Sequence, residues 1–340
     1  MSIFKQKPKT EREKVEERRE EVLARGKKFK YPMQYAKHRL MVNTIIVAVI
    51  AIVLMVVAGW AMLYKFQDTG DMIYRVTQVI PVPVAEVEGA RVRYSDYLMI
   101  YRSNLITSEQ QGGQLGSGED AEAVREAYKQ AALYSAVEYT YALKLGRELN
   151  LTVTEQEIDQ AFDEHRKVGG VERSEEGFLK ILNDNFGMNK REYRRMLYLL
   201  LMKAKVSQEI DKPAAEQAQK VERILAESDN DLRKAAEELS GPDVEYQETG
   251  RLVDNMNVDG GRSTAAMKLE PGQVSSRFLS SNGDGYYFVK LIDKTDSEVN
   301  YNSLKISFTE FDRRIAELYA NGDVDVFITI SDEAERAEEE

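Results

Sequence analysis

Two histidines and no cysteine set the chemistry open to this chain of 340 residues. Without a thiol there is no cysteine nucleophile, no disulfide framework and no sulfur-ligated metal or cluster. His38 and His165 lie 127 positions apart in different kinds of segment. A zinc centre or a Ser-His-Asp hydrolase would have to be built on one isolated imidazole. His165 has Asp163 and Glu164 beside it, but neighbours one and two positions away point off its helical face, so a solvated histidine is the expectation. Asp254, Asp259 and Gly260-Gly261 hint at a calcium loop, yet their spacing fits no EF-hand and reads as a polar turn. Gly112, Gly113 and Gly116 lack the strand and helix that frame a phosphate loop. Asn150-Leu-Thr152 fits a glycosylation acceptor, with nothing else to suggest a eukaryotic secretory protein. The inventory predicts no cofactor and no metal.

The elements that would position any site begin with a division of charge. The formal net charge of −11 averages two unlike parts: residues 1–40 carry 13 Lys or Arg against 6 Glu, or +7, leaving −18 on the rest. Between them, residues 42–64 read VNTIIVAVIAIVLMVVAGWAMLY, 23 residues without a charge. As a helix this run spans roughly 34 Å, enough for a bilayer core with some tilt. Trp60 and Tyr64 suit the interfacial aromatic belt. Lys27, Lys28, Lys30, Lys37 and Arg39 on one flank and Asp68 and Asp71 on the other predict a retained single-pass helix with a cytoplasmic N-terminus. The 40-residue charged leader and the lack of a small-x-small cleavage site argue against a signal peptide. Residues 10–25 (TEREKVEERREEVLAR) predict a solvated charged helix. Its interleaved acids and missing aromatic platform argue against nucleic acid as a partner.

Beyond residue 65 a juxtamembrane linker (65–81) leads to an alternating strand-turn-strand around Glu88-Gly89. Ser95 is expected to cap a helix through Leu98, Tyr101 and Leu105, and residues 110–118 (QQGGQLGSG) to form a flexible loop. A long, much-buried helix follows through Val124, Val137 and Leu145. Thr154-x-x-Glu157 and Asn189-x-x-Glu192 read as capping boxes, and Ser174 as a further N-cap. After Pro213 come two helices and then short strands, the last of them residues 299–308, followed by a helix at 310–319 and an alternating segment at 324–330. The ending SDEAERAEEE (331–340) is expected to be an acidic disordered tail. Helices before strands without βαβ alternation predict an α+β fold.

The order of pieces resembles the SurA, PrsA and PpiD group of exported bacterial foldases. The phrases VAEVEGARVRYSDY (84–97), LKLGRELNLTVTEQEIDQAF (143–162) and FGMNKREYRRMLYLLLMKAKV (186–206) carry the likeness to their helical chaperone domain. ILAESDNDLRKAAEELS (224–240), TGRL (249–252), AAMKLEPGQVSSRF (265–278) and GYYFVKLID (285–293) resemble the parvulin prolyl-isomerase domain that follows in such chains. FDRRIAELYANGDVDVFI (311–328) resembles the helix and strand by which they return to complete the chaperone domain. The resemblance implies a cytoplasmic leader (1–41), a transmembrane helix (42–64), a SurA-like helical domain (82–211), a degenerate parvulin-like domain (212–298) and a completing strand-helix-strand (299–330).

The departures from the family matter for chemistry. Parvulins place two histidines and an Asp or Cys around an apolar proline pocket. Here one histidine position is Tyr287, and the pocket's methionine and phenylalanine align with Val258 and Arg262. The strand that normally precedes the helix pair is missing at residues 206–214. SLKISF (303–308) comes late as a substitute and offers Leu304 or Lys305 in place of histidine. An arginine in an apolar slot is costly unless it reaches out to polar partners. The resemblance thus implies a bacterial envelope chaperone that binds unfolded or newly exported polypeptides, with a dismantled isomerase site. Met188, Tyr193, Met196, Tyr198 and Met202 are the candidates for client contact, since methionine and tyrosine suit promiscuous surfaces, although such residues on one helix also suit a core. Two alternatives stand beside this one: an active prolyl isomerase, and an envelope scaffold for one specific partner. Placement of residues 299–308 beside 286–292 would make the module a rearranged parvulin; packing on the helical domain would reduce the likeness to fragments.

Overall fold

A computed structural model describes residues 10–110, 119–168, 171–255, 257 and 259–330. Gln110 of the expected flexible loop (110–118) is helical; the rest of that loop and the acidic tail at 331–340 lie outside the described residues. The chain falls into two compact units, Met1–Asp68 and Thr69–Glu340.

The first unit is a continuous helix, α1 (Glu11–Trp60), ending in a π turn at Ala61–Lys65. Thr10 and Glu13 open it as a capping box, with the Thr10 N–H donating to the Glu13 carboxylate at 3.0 Å. Within it His38–Lys65 is long and apolar enough to cross a membrane. Ile45, Ile50, Leu54 and Val57 along it are exposed.

The second unit starts with helix α2 (Asp71–Val79), which occupies most of the stretch read from sequence as a linker. It is held by its inner face: Tyr74 donates to Glu192 at 2.8 Å, and the Arg102 guanidinium lies 5.0 Å from the Tyr74 ring. Strands β1 (Pro83–Val87) and β2 (Ala90–Arg93) form a hairpin whose turn holds Glu88 and Gly89 at positive φ. Helix α3 (Tyr94–Gln110) follows β2 directly. Ser95 is therefore a buried residue of its first turn rather than its cap.

Helix α4 (Glu119–Glu148) packs on α3 and buries Ala132, Val137 and Ala142. The predicted caps organise the next three helices. Thr154 and Glu157 cap the start of α5 (Glu155–His165), and Ser174 accepts the Gly177 N–H at the start of α6 (Glu175–Phe186). Asn189 accepts two N–H groups of α7 (Lys190–Ile210). A short hairpin, β3 (Lys167–Val168) and β4 (Val171–Glu172), joins α5 to α6. Gly187 ends α6 at φ 63°, where a side chain would be strained and would meet Ile106.

Helices α8 (Lys212–Glu227) and α9 (Leu232–Leu239) then lie on one face of a twisted antiparallel sheet. Its strands are β5 (Val244–Glu248), β6 (Val253–Asp254), β7 (Phe278–Leu279), β8 (Gly285–Lys294) and β9 (Glu298–Ser307), and the main order is β5-β9-β8-β7. The late strand β9 is central: it pairs with β8 from Gly285↔Ser307 to Lys294↔Val299 and with β5 on its other edge. Period-2 alternation divides the residues between faces. Phe288, Leu304 and Ile306 meet α8 and α9, whereas Val289, Leu291 and Tyr301 meet the short helix α10 (Arg262–Met267). Helix α11 (Glu310–Asn321) returns to the helical bundle, stacking Tyr319 on Tyr134 and tilting Phe311 against Tyr141. Strand β10 (Val324–Val326) adds to β1, giving the order β10-β1-β2. The fold is α+β.

Candidate functional site

The first candidate is a half-open groove of about 500 Å³ bounded by β2, the end of α4, the α4–α5 loop and α7. Its apolar wall is Leu143, Leu151, Val153, Tyr198 and Met202. Met202 reaches this wall because α4 has Gly146 where a side chain would collide with the methionine sulfur. Lys205 holds the loop: it donates to the Thr152 carbonyl at 2.6 Å and pairs with Glu157 at 2.5 Å. The remaining lining is strongly basic, with Arg91, Arg93, Arg147 and Arg195 against the single carboxylate of Asp96. That carboxylate is taken by Arg195, whose Nε and Nη2 donate at 3.2 and 2.6 Å.

The five client-contact candidates divide. Tyr198 and Met202 line the groove, although Met202 is only 4% exposed. Met188 is also buried at 4% exposure and offers no free surface. Tyr193 faces away into another core, edge-on to Phe162 and Phe178, with its hydroxyl 2.6 Å from His165 Nδ1. Burial raises the Tyr193 hydroxyl to about 12. His165 is exposed, but desolvation on the side toward Tyr193 lowers its imidazole below its ordinary value. Met196 is half-buried on α7. Sequence reasoning missed the arginines because Arg91 with Arg93, Arg147 and Arg195 lie far apart in the chain; only the fold collects them.

The second candidate lies on the sheet face under α10. Val258 lies outside the described residues, but Arg262, Tyr287 and Lys305 converge. Phe278, Tyr287 and Lys305 are successive cross-strand partners on β7, β8 and β9. Phe278 stacks on Tyr287 at 6.0 Å, and the Arg262 guanidinium lies 5.3 Å from the Tyr287 ring centre. Arg262 also donates to the Asp259 carbonyl and to Gln247, both at 2.7 Å. The polar partners that such an arginine needs are thus built in.

Lys305 pairs with Asp284 at 2.6 Å. Burial alone would lower the ammonium, but the Asp284 carboxylate outweighs it and leaves Lys305 raised. Burial likewise raises the Tyr287 hydroxyl. Asp259, one member of the supposed calcium loop, is buried and accepts from Ser263 and, at 2.6 Å, from the Tyr301 hydroxyl. It closes the loop onto α10. Among the described residues no cluster of three or more His, Cys, Asp or Glu side chains could hold a metal ion. Among the described residues the arrangement is one ion pair, Lys305 with Asp284, and cation–π contacts of Arg262 and Lys305 with Tyr287.

Residues 33–207, from the middle of α1 to near the end of α7, match the family described as the SurA-like N-terminal domain. Comparisons with curated proteins and with solved structures gave no match.

Proposed function

The chain belongs to the SurA-like N-terminal domain family, and from that premise we propose that it is a membrane-anchored extracytoplasmic chaperone that holds unfolded or newly exported polypeptides. Binding of unfolded polypeptide goes with a SurA-like chaperone domain. The single observation that carries this reading onto the fold is the groove within the matched domain, where Leu143, Leu151, Val153 and Tyr198 form an apolar wall beside polar groups. A wall of this kind suits weak, sequence-tolerant contact with extended chains.

Residues 42–64 serve as the anchor and residues 82–211 as the holding domain. Exposed apolar side chains along His38–Lys65 support the anchor, and the basic flank before it supports a cytoplasmic N-terminus. Residues 212–298 form a degenerate parvulin-like domain, completed from residues 299–330. The full-length pairing of β9 with β8 supports a rearranged parvulin. The guanidinium of Arg262 over Tyr287 and the Lys305–Asp284 pair support loss of isomerase activity, because Arg262 stands where the apolar proline slot is needed and Lys305 where the family carries a histidine.

The test uses the full chain in lipid nanodiscs. Suppression of aggregation for several unrelated unfolded clients is expected at stoichiometric amounts, together with a proline-limited refolding rate equal to that of a non-specific protein control. Clear acceleration of refolding would overturn the non-enzymatic reading. One high-affinity partner with no general suppression would replace the chaperone with a scaffold.

A further inference from the structure

We infer that the groove between β2, α4 and α7 is a carboxylate-binding site that selects acidic segments of extended polypeptide, seating an Asp or Glu side chain among the arginines and its apolar neighbour on Tyr198. This rests on the client-holding reading above and adds the class of polypeptide held.

The argument begins with the charge left over in the groove. Of the four arginines, Arg195 is neutralised by Asp96, and exposed Arg91 has Glu86 at 4.0 Å. Arg93 and Arg147 have no carboxylate partner among the described residues. Arg147, itself exposed, donates its Nε only to the Leu143 carbonyl at 3.1 Å, and the buried Nε of Arg93 has no hydrogen-bond acceptor among the described residues. Two uncompensated guanidinium groups facing one partly enclosed space favour an anion, and a planar carboxylate matches their fork of donors.

The size and sign of the rest of the chain narrow the class. Outside residues 1–40 the chain carries −18, so the body as a whole repels a long polyanion such as nucleic acid. A lone carboxylate flanked by apolar side chains meets only the local arginines and the wall of Leu143, Leu151, Val153 and Tyr198. The overall acidity therefore does not decide the groove's preference. The net charge alone favours basic or apolar clients, whereas the groove favours acidic-apolar ones.

The experiment measures binding of three fluorescein-labelled peptides, with alternating Glu-Phe, Gln-Phe or Lys-Phe, to the full chain in zwitterionic nanodiscs. The Glu-Phe peptide is expected to bind about tenfold tighter than Gln-Phe, a difference of about 1.4 kcal/mol, and to lose that margin in high salt. The double variant Arg93→Gln/Arg147→Gln removes the preference, Arg93→Lys keeps most of it, and Arg223→Gln on exposed α8 leaves it unchanged. Circular dichroism confirms that each variant folds. Equal binding of the Glu and Gln peptides overturns this inference alone and leaves the chaperone standing. Failure of all three peptides together with failure to suppress aggregation overturns both. Tighter Glu-Phe binding after deletion of residues 331–340 would assign the groove to the chain's own acidic end, and would overturn the site for external segments.

Discussion

Asp211 and Thr309, 98 positions apart, are joined by a 2.7 Å hydrogen bond from the Thr309 N–H to the buried carboxylate. The same oxygen accepts the Glu310 N–H at 3.0 Å, and the other oxygen accepts the Ala214 N–H at 3.0 Å. One side chain therefore caps α8 and the returning α11, and it stands where α7 ends. This joint fixes where the sheet module begins and where the chain comes back to the bundle. Loss of one helix cap costs about 1 kcal/mol, and orphaned buried N–H groups add about 1–3 kcal/mol. Asp211→Ala is expected to destabilise the second unit by about 2–4 kcal/mol in urea unfolding, with Asp211→Asn intermediate. A change within experimental error would mean that the joint is not a structural one.

Gly146 poses a question of sign. Gly146 lies in the last turn of α4, and replacing a helical glycine by alanine normally stabilises by up to about 1 kcal/mol. Here the new methyl would collide with the sulfur of Met202, which is 4% exposed on the facing helix. We expect Gly146→Ala to destabilise by about 1–3 kcal/mol, the usual cost of overpacking. Met202→Ala should cost less in the Gly146→Ala background than in the parent, because there it also relieves the collision, so a double-mutant cycle should give a coupling above about 0.5 kcal/mol. Simple additivity would show that the two helices do not meet through this pair.

Local signals in the sequence were enough to read the capped helices. Thr154 with Glu157 and Asn189 with Glu192 satisfy N–H groups within their own turn, so their partners lie three residues away. The apolar run at 42–64 is legible for the same reason. The centre of the sheet was harder, because β9 takes both partners from strands that precede it, and residues 299–308 carry no mark of a central position beyond their length. Strand β5 escaped notice because only Val244 and Tyr246 alternate inward. The groove was the least legible feature. Arg93, Arg147 and Arg195 come from a strand and two helices spread over a hundred residues, and each alone looks like an ordinary surface arginine. Tyr193 and Tyr198 sit five positions apart on one helix, yet only Tyr198 reaches the groove.

Acid should weaken the α5 end of the helical region, and the sign follows from two groups. The hydrogen bond from Lys205, with that from the Thr154 N–H, holds the Glu157 carboxyl down at about 2. A carboxyl lowered in the folded state contributes stability that is full above its ordinary value of about 4.5 and lost as pH falls through about 2. His165, with its outer edge in solvent and the rest of its ring against Tyr193, is lowered by burial, so the folded state favours neutral imidazole. Its contribution is full above the ordinary histidine value near 6.5 and declines as pH drops below it. Both terms act in the same direction. Glu157 is 38% exposed, and solvent screening keeps its share at or below about 1 kcal/mol. Urea midpoints measured from pH 7.5 to 2.5 should fall for the parent chain. Glu157→Gln should flatten the lower part of that fall and His165→Gln the part between pH 7 and 5. Identical profiles for parent and variants would remove both groups from the account.

The absence of cysteine makes the proposed topology directly measurable, because any introduced thiol is unique. Thr10 and Ser297 are both exposed, Thr10 at the N-terminus of α1 and Ser297 in the turn between β8 and β9. With the N-terminus in the cytoplasm, a membrane-impermeant maleimide added to intact cells, or to spheroplasts where an outer barrier exists, should label Ser297→Cys and spare Thr10→Cys. Lysis should then expose Thr10→Cys to the reagent. The flank charges make a second demand. Replacing Lys27, Lys28, Lys30, Lys37 and Arg39 by glutamine removes the basic residues closest to the apolar run, and inverted or mixed labelling should follow if those charges set orientation. Labelling of Thr10→Cys in the intact parent would place the acidic body in the cytoplasm, and the export half of the proposed function would fall with it.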